Sequence, residues 1–283
     1  MVHYQNLLPV VTGEIVNTDW SSDSYEASRS TELDLHLIID RDGLRYLVFD
    51  NAARTVLKVG YFALVHQGFD WLQNALGSLK TQNGFKSVRC SIASLPFAII
   101  PERFFEESLA PRYLELSFGR EFSTTKHHHF ASGMTLISED QSEWKNAVTK
   151  AFPNARFDTL IQEMQNFAAS KKPGNQSVLA AHVSDSFMEL CINGSTGLLF
   201  AGTFETRSAE DILYFIGLSA RENQLNFLED AFVISGADDA TLKLLKNYFK
   251  HIEVPATSSK TELARGANTD TERLCQPFFF REL

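Results

Sequence analysis

Cysteine is scarce in this chain and has no structural pattern. Cys90, Cys191 and Cys275 are odd in number, far apart and free of any CxxC spacing, which excludes a disulfide framework and gives no support to a zinc site. Clustered Lys and Arg are missing too: 26 basic residues against 35 acidic ones leave a formal net charge of −9. Nucleic acid and anionic membranes are bound through basic patches that neutralise phosphate, so no nucleic-acid partner is expected. No run approaches the roughly 20 apolar residues of a membrane span. The opening MVHYQNLLPVVTGEIV lacks a basic segment and a sustained apolar stretch, so it does not read as a signal peptide. No membrane insertion is expected, and a reducing cytoplasm is the compartment that fits. The sequons at Asn175 and Asn193 then read as chance, because glycosylation needs export. The spacings GxxxxGKS/T, HExxH, GxSxG and GxGxxG do not occur, so P-loop, zincin, hydrolase-elbow and Rossmann chemistry find no support.

What the 283 residues do contain is a pattern that occurs twice. LDLHLIIDRDGLRYLVFDNAARTVLKVGYFA (33–63) and SVLAAHVSDSFMELCINGSTGLLFAGTF (177–204) each read as three strands joined by tight turns. Leu33, Leu35, Leu37 and Ile39 alternate with residues facing the other way, and Asp42-Gly43 suits a hairpin turn. Each meander leads into a helix, a strand and another helix. In the first copy Leu72, Ala75, Leu76 and Leu79 form one helical stripe, and Val88, Cys90 and Ile92 a strand. Pro101 is placed to open a helix over 101–109, His127 to His129 lie in a polar loop, and Met134 to Ile137 read as a strand. Helices around Trp144 to Phe152 and Leu160 to Ala168 close this part. In the second copy Ser208 caps a helix, and the apolar run Ile212 to Leu218 predicts burial on more than one side. Ala231 to Ser235, a helix from Leu242 to Phe249, and Ile252 to Val254 follow.

These signals divide the chain into a mobile polar arm (1–32), two similar halves (33–172 and 173–257) and a polar tether with an apolar end (258–283). Lys171-Lys172-Pro173-Gly174 is the linker between the halves. Phe278, Phe279 and Phe280 are too apolar to stay in water and are expected to dock on the first half. The order of elements suits an α/β fold with two mixed sheets of strand order 3-2-1-4-5, flanked by helices around a cleft. Two such halves describe the duplicated actin-like (ribonuclease H-like) fold. Ligands of open α/β sheets bind at the carboxyl ends of strands beside the switch point, here Asp40, Asp185 and Ser235-Gly236.

The stretches PFAIIPERFFEESLAPRYLELSF (96–118), GLRYLVFD (43–50) and GLLFAGTFETRSAEDILYFIGL (197–218), the last leading to FVISG (232–236), resemble an uncharacterised bacterial family, the domain of unknown function numbered 3822. The resemblance runs from about Leu33 to Val254. It implies an actin-like ATPase fold, related to cytoplasmic parts of type IV pilus and type II secretion machinery, and brings no activity with it. In nucleotide-binding members of that fold each first hairpin holds an Asp followed by glycines, which wrap phosphate and hold magnesium through water. Here the turns are Asp40-Arg41-Asp42-Gly43 and Asp185-Ser186-Phe187, and the second has no glycine. The candidate cofactor contacts, if ATP with magnesium binds, are Asp40, Asp42, Gly43, Asp185, Ser235 and Gly236. The reading expected first is a non-catalytic protein-interaction scaffold without cofactor, with a protein partner or a second copy of the chain. The alternative is a nucleotide-binding ATPase of the same fold. His127 and His129, two apart on an extended chain, could share a metal ion, but no further ligand is evident nearby, and no metal site is expected.

Overall fold

A computed structural model describes residues 17–64, 70–171, 176–255, 262–263 and 269–280. The linker residues 172–174 and positions 1–16 of the expected arm lie outside the described residues. The first sheet is built from β1 (Asn17–Ser21), β2 (Asp34–Ile39), β3 (Gly43–Asp50) and β4 (Thr55–Ala63), then α1 (Asp70–Leu79) and β5 (Ser87–Ile92). A separate module follows: β6 (Phe97–Pro101), α2 (Ala110–Phe118), β7 (Thr125–His129) and β8 (Met134–Glu139). The chain returns through α3 (Ser142–Ala151), β9 (Ala155–Thr159) and α4 (Leu160–Ser170). The second sheet comprises β10 (Val178–Val183), β11 (Phe187–Gly194), β12 (Gly197–Glu205), α5 (Ala209–Glu222), β13 (Ala231–Ser235), α6 (Asp239–Leu245) and β14 (His251–Glu253). β15 (Glu262–Leu263), α7 (Thr269–Cys275) and a 3-10 turn over Gln276–Phe280 complete it.

The first sheet runs β1-β4-β3-β2-β5-β9 with β15 also on β4, and the second runs β12-β11-β10-β13-β14. In each, an antiparallel meander is followed by two parallel strands beside its first strand. Every residue of β2 and β3 is buried, so both faces of the first sheet are covered. Leu35, Leu37 and Ile39 pack with Leu72, Leu76 and Val148 on the outer face. Ile38, Leu47 and Val59 face inward, into a cluster shared with Val178, Ala180 and Phe187 of the second sheet. Helix α4 supplies Leu160, Ile161, Met164 and Ala168 to that shared core, which makes the two sheets one packing unit. Its start is fixed by a capping box, in which Thr159 Oγ1 accepts from Gln162 N and the Gln162 side chain accepts from Thr159 N.

Several sequence expectations are corrected. Residues 17–32 do not form a mobile arm: β1 adds antiparallel to β4, Trp20 packs on the shared core, and a 3-10 turn spans Ala27–Glu32. Pro101 ends the edge strand β6, where a missing N–H is tolerated, and precedes only a short 3-10 turn, Glu102–Phe104, in place of the expected helix over 101–109. The helix begins at Ala110, with Pro111 in its first turn. His127 to His129 lie on β7, whose exposed edge position accounts for their polarity. The segment 134–137 belongs to the separate sheet β6-β8-β7. The position after β5 in the first sheet is taken by β9, whose ARFDT sequence is only partly buried and carries little apolar pattern. Helix α5 buries Ile212, Ile216, Ser219 and Ala220, half-buries Leu213 and Phe215 to either side of them, and leaves Tyr214 exposed. The polar tether contains β15 and α7. Phe278 and Phe280 do dock: they are buried in the shared core, and Phe280 meets Phe167 of α4 edge to face.

Candidate functional site

The β2–β3 turn approaches the β10–β11 turn across the interface between the two sheets. Asp40, at the end of β2, has no solvent exposure. One of its oxygens accepts the N–H groups of Asp42 (2.7 Å) and Gly43 (2.9 Å), and the other accepts from Arg45. A side chain at Gly43 would meet Phe62 O at 2.2 Å, so the turn needs glycine. Arg45, the third residue of β3, donates to Ser184 Oγ at 2.8 Å and lies over the Tyr61 ring at 4.5 Å.

The second hairpin turn is gripped directly. Asp42 accepts from Ser186 N (2.9 Å) and Ser186 Oγ (2.5 Å). Arg41 donates to Ser186 Oγ (3.1 Å) and Ser186 O (2.9 Å), and its guanidinium lies over Phe187 at 5.1 Å. Tyr61 donates to Asp42 O (2.7 Å) and reaches Asp185 at 3.4 Å. Beneath this clasp, Glu189 of β11 accepts the N–H of Ser94 at 2.7 Å, and Ser94 Oγ accepts from Arg41 N at 3.1 Å. The site residues expected from sequence at the two turns are thus brought together, but onto each other and onto Arg41, Arg45 and Ser186.

Burial pushes the Asp40 carboxyl above its ordinary range, against the pull of Arg45 and of the two backbone N–H groups. Burial also works against charge on Arg45, and Asp40, ahead of Tyr61, Asp185 and Asp42, more than offsets it. A carboxylate accepting from three N–H donors and a guanidinium donating to it describe a charged pair. Burial raises Glu189 to about 8. Burial, with Arg45 nearby, holds His182 well below its ordinary value, so its imidazole is neutral.

Ser235 and Gly236, the other expected contacts, are also taken. Ser235 Oγ lies 3.2 Å from His182 Nδ1, and Gly236 N donates to the side chain of Gln276 at 2.8 Å. Gly236 has φ +80°, and a Cβ there would sit 2.2 Å from Val183 O. The space left beside these groups is a pocket of about 310 Å³, bordered by Arg45, Asp185, Arg207, Asp238, Arg273 and Pro277 among others. The segment 273–277 is therefore part of the wall.

The resemblance to nucleotide-binding proteins implies magnesium and phosphate at these turns, and the residues present do not fit them. Both Asp40 oxygens are engaged by the protein, Asp42 is bound to Ser186, and Gly236 N–H is bound to Gln276. Among the described residues, no group of three or more His, Cys, Asp or Glu is arranged to hold a metal ion. His127 and His129 do share a face of β7, with ring centroids 5.3 Å apart, where they pack around Phe105. The three cysteines are free and buried. No described helix is long and apolar enough to cross a membrane.

Sequence reasoning missed Arg41, Arg45, Ser186 and Gln276. For Arg45 a signal existed: it is the one charge inside the otherwise apolar run GLRYLVF. No local pattern marks the other three, because their partners are distant in sequence.

The fold of the chain is that of actin-like ATPases. A Bacteroides thetaiotaomicron protein described as having an actin-like ATPase fold and unknown function superposes with a TM-score of 0.67 at 18% identity, covering 83% of this chain and 96% of that one. The PilM–PilN type IV pilus biogenesis complex matches with a TM-score of 0.56 at 10% identity, over 87% of this chain and 95% of that one. The cytoplasmic domain of EpsL from the type II secretion system of Vibrio cholerae matches with a TM-score of 0.48 at 13% identity, over 89% and 96%. No curated protein matches the sequence. The family described as protein of unknown function DUF3822 matches residues 22–252, and this chain belongs to it.

Proposed function

We propose that this protein is a non-catalytic protein-interaction scaffold, working in the cytoplasm on an actin-like frame. The observation that carries the reading is the direct contact between the two hairpin turns. Asp42 and Arg41 hold Ser186 at hydrogen-bond distance, and Phe187 lies under Arg41, where a phosphate chain would have to pass. Gln276 takes the backbone donor at Gly236 as well. With Asp40, Asp42 and the Gly236 N–H already partnered by the chain, these turns offer little gain to a nucleotide.

For a scaffold, the surface matters more than the cleft. Phe104 (60% exposed), Leu109 (41%), Leu116 (86%) and Phe118 (47%) are all exposed in the α2 module. Four exposed large apolar residues within one short module are the kind of surface that a partner covers. The type IV pilus protein of similar fold was solved in complex with a second protein, and this reading assigns α2 to contact with a protein or a second copy of the chain. Three free, buried cysteines suit the reducing compartment.

The test is thermal stability with ATP and magnesium. A ligand present at 100 times its Kd adds about 2.7 kcal/mol, so millimolar ATP would visibly shift a site of micromolar affinity. No shift is expected. Stabilisation that vanishes in Asp40→Ala or Asp185→Ala would favour the ATPase reading instead.

A further inference from the structure

Asp40, Asp42 and Asp185 all act electrostatically on one guanidinium, that of Arg45. Asp40 is the buried one and the one that Arg45 touches, whereas Asp42 is partly exposed and Asp185 exposed. Asp40, with no exposure, could not keep its charge there alone. Magnesium is the cation that a nucleotide would bring to this fold, and the arrangement does not admit it, since Arg45 already occupies the second oxygen of Asp40. We infer that Arg45 is the resident cation of this cleft, a covalently held substitute for a dissociable metal ion, so that the two hairpins stay joined without any ligand.

This inference rests on the non-catalytic reading and extends it. Arg45 is placed by its strand: β3 pairs with β2 on one side and β4 on the other, so the side chain emerges from the middle of the sheet. Its planar fork reaches Asp40 with one nitrogen and Ser184, on the opposite hairpin, with the other. Tyr61 backs the guanidinium at 4.5 Å and also donates to Asp42 O, which couples the cation to the clasp. Lysine could supply the charge but not both contacts with one rigid group. A cation carried on the sheet cannot be diluted or chelated away. In this protein the closed arrangement is therefore independent of metal and nucleotide concentration.

Thermal melts of the full chain test the inference, comparing wild type, Arg45→Ala, Arg45→Lys and Arg45→Met with and without manganese chloride. Wild type and Arg45→Lys are expected to be indifferent to manganese. Arg45→Ala is expected to melt lower and to recover by about 5 to 10 °C at manganese about 100-fold above its Kd. That recovery should disappear in the double variant Arg45→Ala/Asp40→Asn. Where Arg45→Ala does not fold unaided, its refolding yield with manganese is the readout, with a gain expected. An Arg45→Ala protein whose melting or refolding is unaffected by manganese overturns the inference, as does an Arg45→Met protein as stable as Arg45→Lys. The two ideas fail separately: stabilisation of wild type by ATP would sink the scaffold reading, and a manganese-indifferent Arg45→Ala would sink the resident cation.

Discussion

Glu189 should make the stability of this protein fall as pH rises through neutrality. It is fully buried on β11, with Ser94 N–H at 2.7 Å and Thr203 Oγ1 at 3.4 Å on one oxygen. The other oxygen has no hydrogen-bond partner among the described residues. Burial, first of all, and the nearby Asp40 charge raise the carboxyl from 4.5 to about 8. A raised pKa means that the folded state holds the proton more tightly than the unfolded state does. The contribution is therefore fully present below about pH 4.5, declines as pH rises, and is gone above about pH 8, a change of about 5 kcal/mol. Glu189→Gln keeps an acceptor for Ser94 N–H and cannot ionise. Urea midpoints of both proteins between pH 4 and 9 isolate the effect, since the other titrating groups are common to both. The variant should be the more stable protein at pH 9, with the difference shrinking or reversing near pH 4. Two parallel pH curves would refute the reasoning.

Other consequences are simpler to test. Gly236→Ala puts a side chain at φ +80° and within 2.2 Å of Val183 O, so it should cost about 1 to 3 kcal/mol in a denaturant melt. Phe278→Ala removes a ring from the shared core and should cost about 3 to 5 kcal/mol, with no change in mass by light scattering. Thr159→Ala breaks the capping box of α4 and should cost about 1 kcal/mol. Leu116→Ser, on the exposed side of α2, should change stability by less than about 0.5 kcal/mol while lowering the binding of a hydrophobic dye.

The meanders were legible because their alternation is regular and their turns carry Asp-Gly and Asn-Gly. The stripe of α1 and the Ser208 cap of α5 were equally plain, since each depends on residues three or four apart. The module from β6 to β8 was hidden by ambiguity: a proline followed by two charged residues is as good a helix start as an edge-strand end, and an edge strand of histidines looks like a loop. β9 has too few apolar residues to announce itself. Asp40, Asp42 and Asp185 could be nominated from their place after strands. What they do could not be read, because Ser186 reaches Asp42, and Ser184 reaches Arg45, from over a hundred residues away, and only the folded chain shows that Arg45 is there first.

One pairing has a consequence for how the protein is made. Strand β4 receives β1 along residues 58–62 and β15 along residues 55–56, so segments from opposite ends of the sequence finish the same edge. The shared core likewise waits for Cys275, Phe278 and Phe280. On the ribosome, the residues of the first sheet emerge long before the ones that complete it. Until residues 262–280 follow, the strand edge and the inner face of β2 to β4 are open to other nascent chains. Contacts of such long sequence separation form slowly. A release of nascent chain short of that point should yield a protein with most of its secondary structure and a sticky, unfinished interior, a natural client for chaperones.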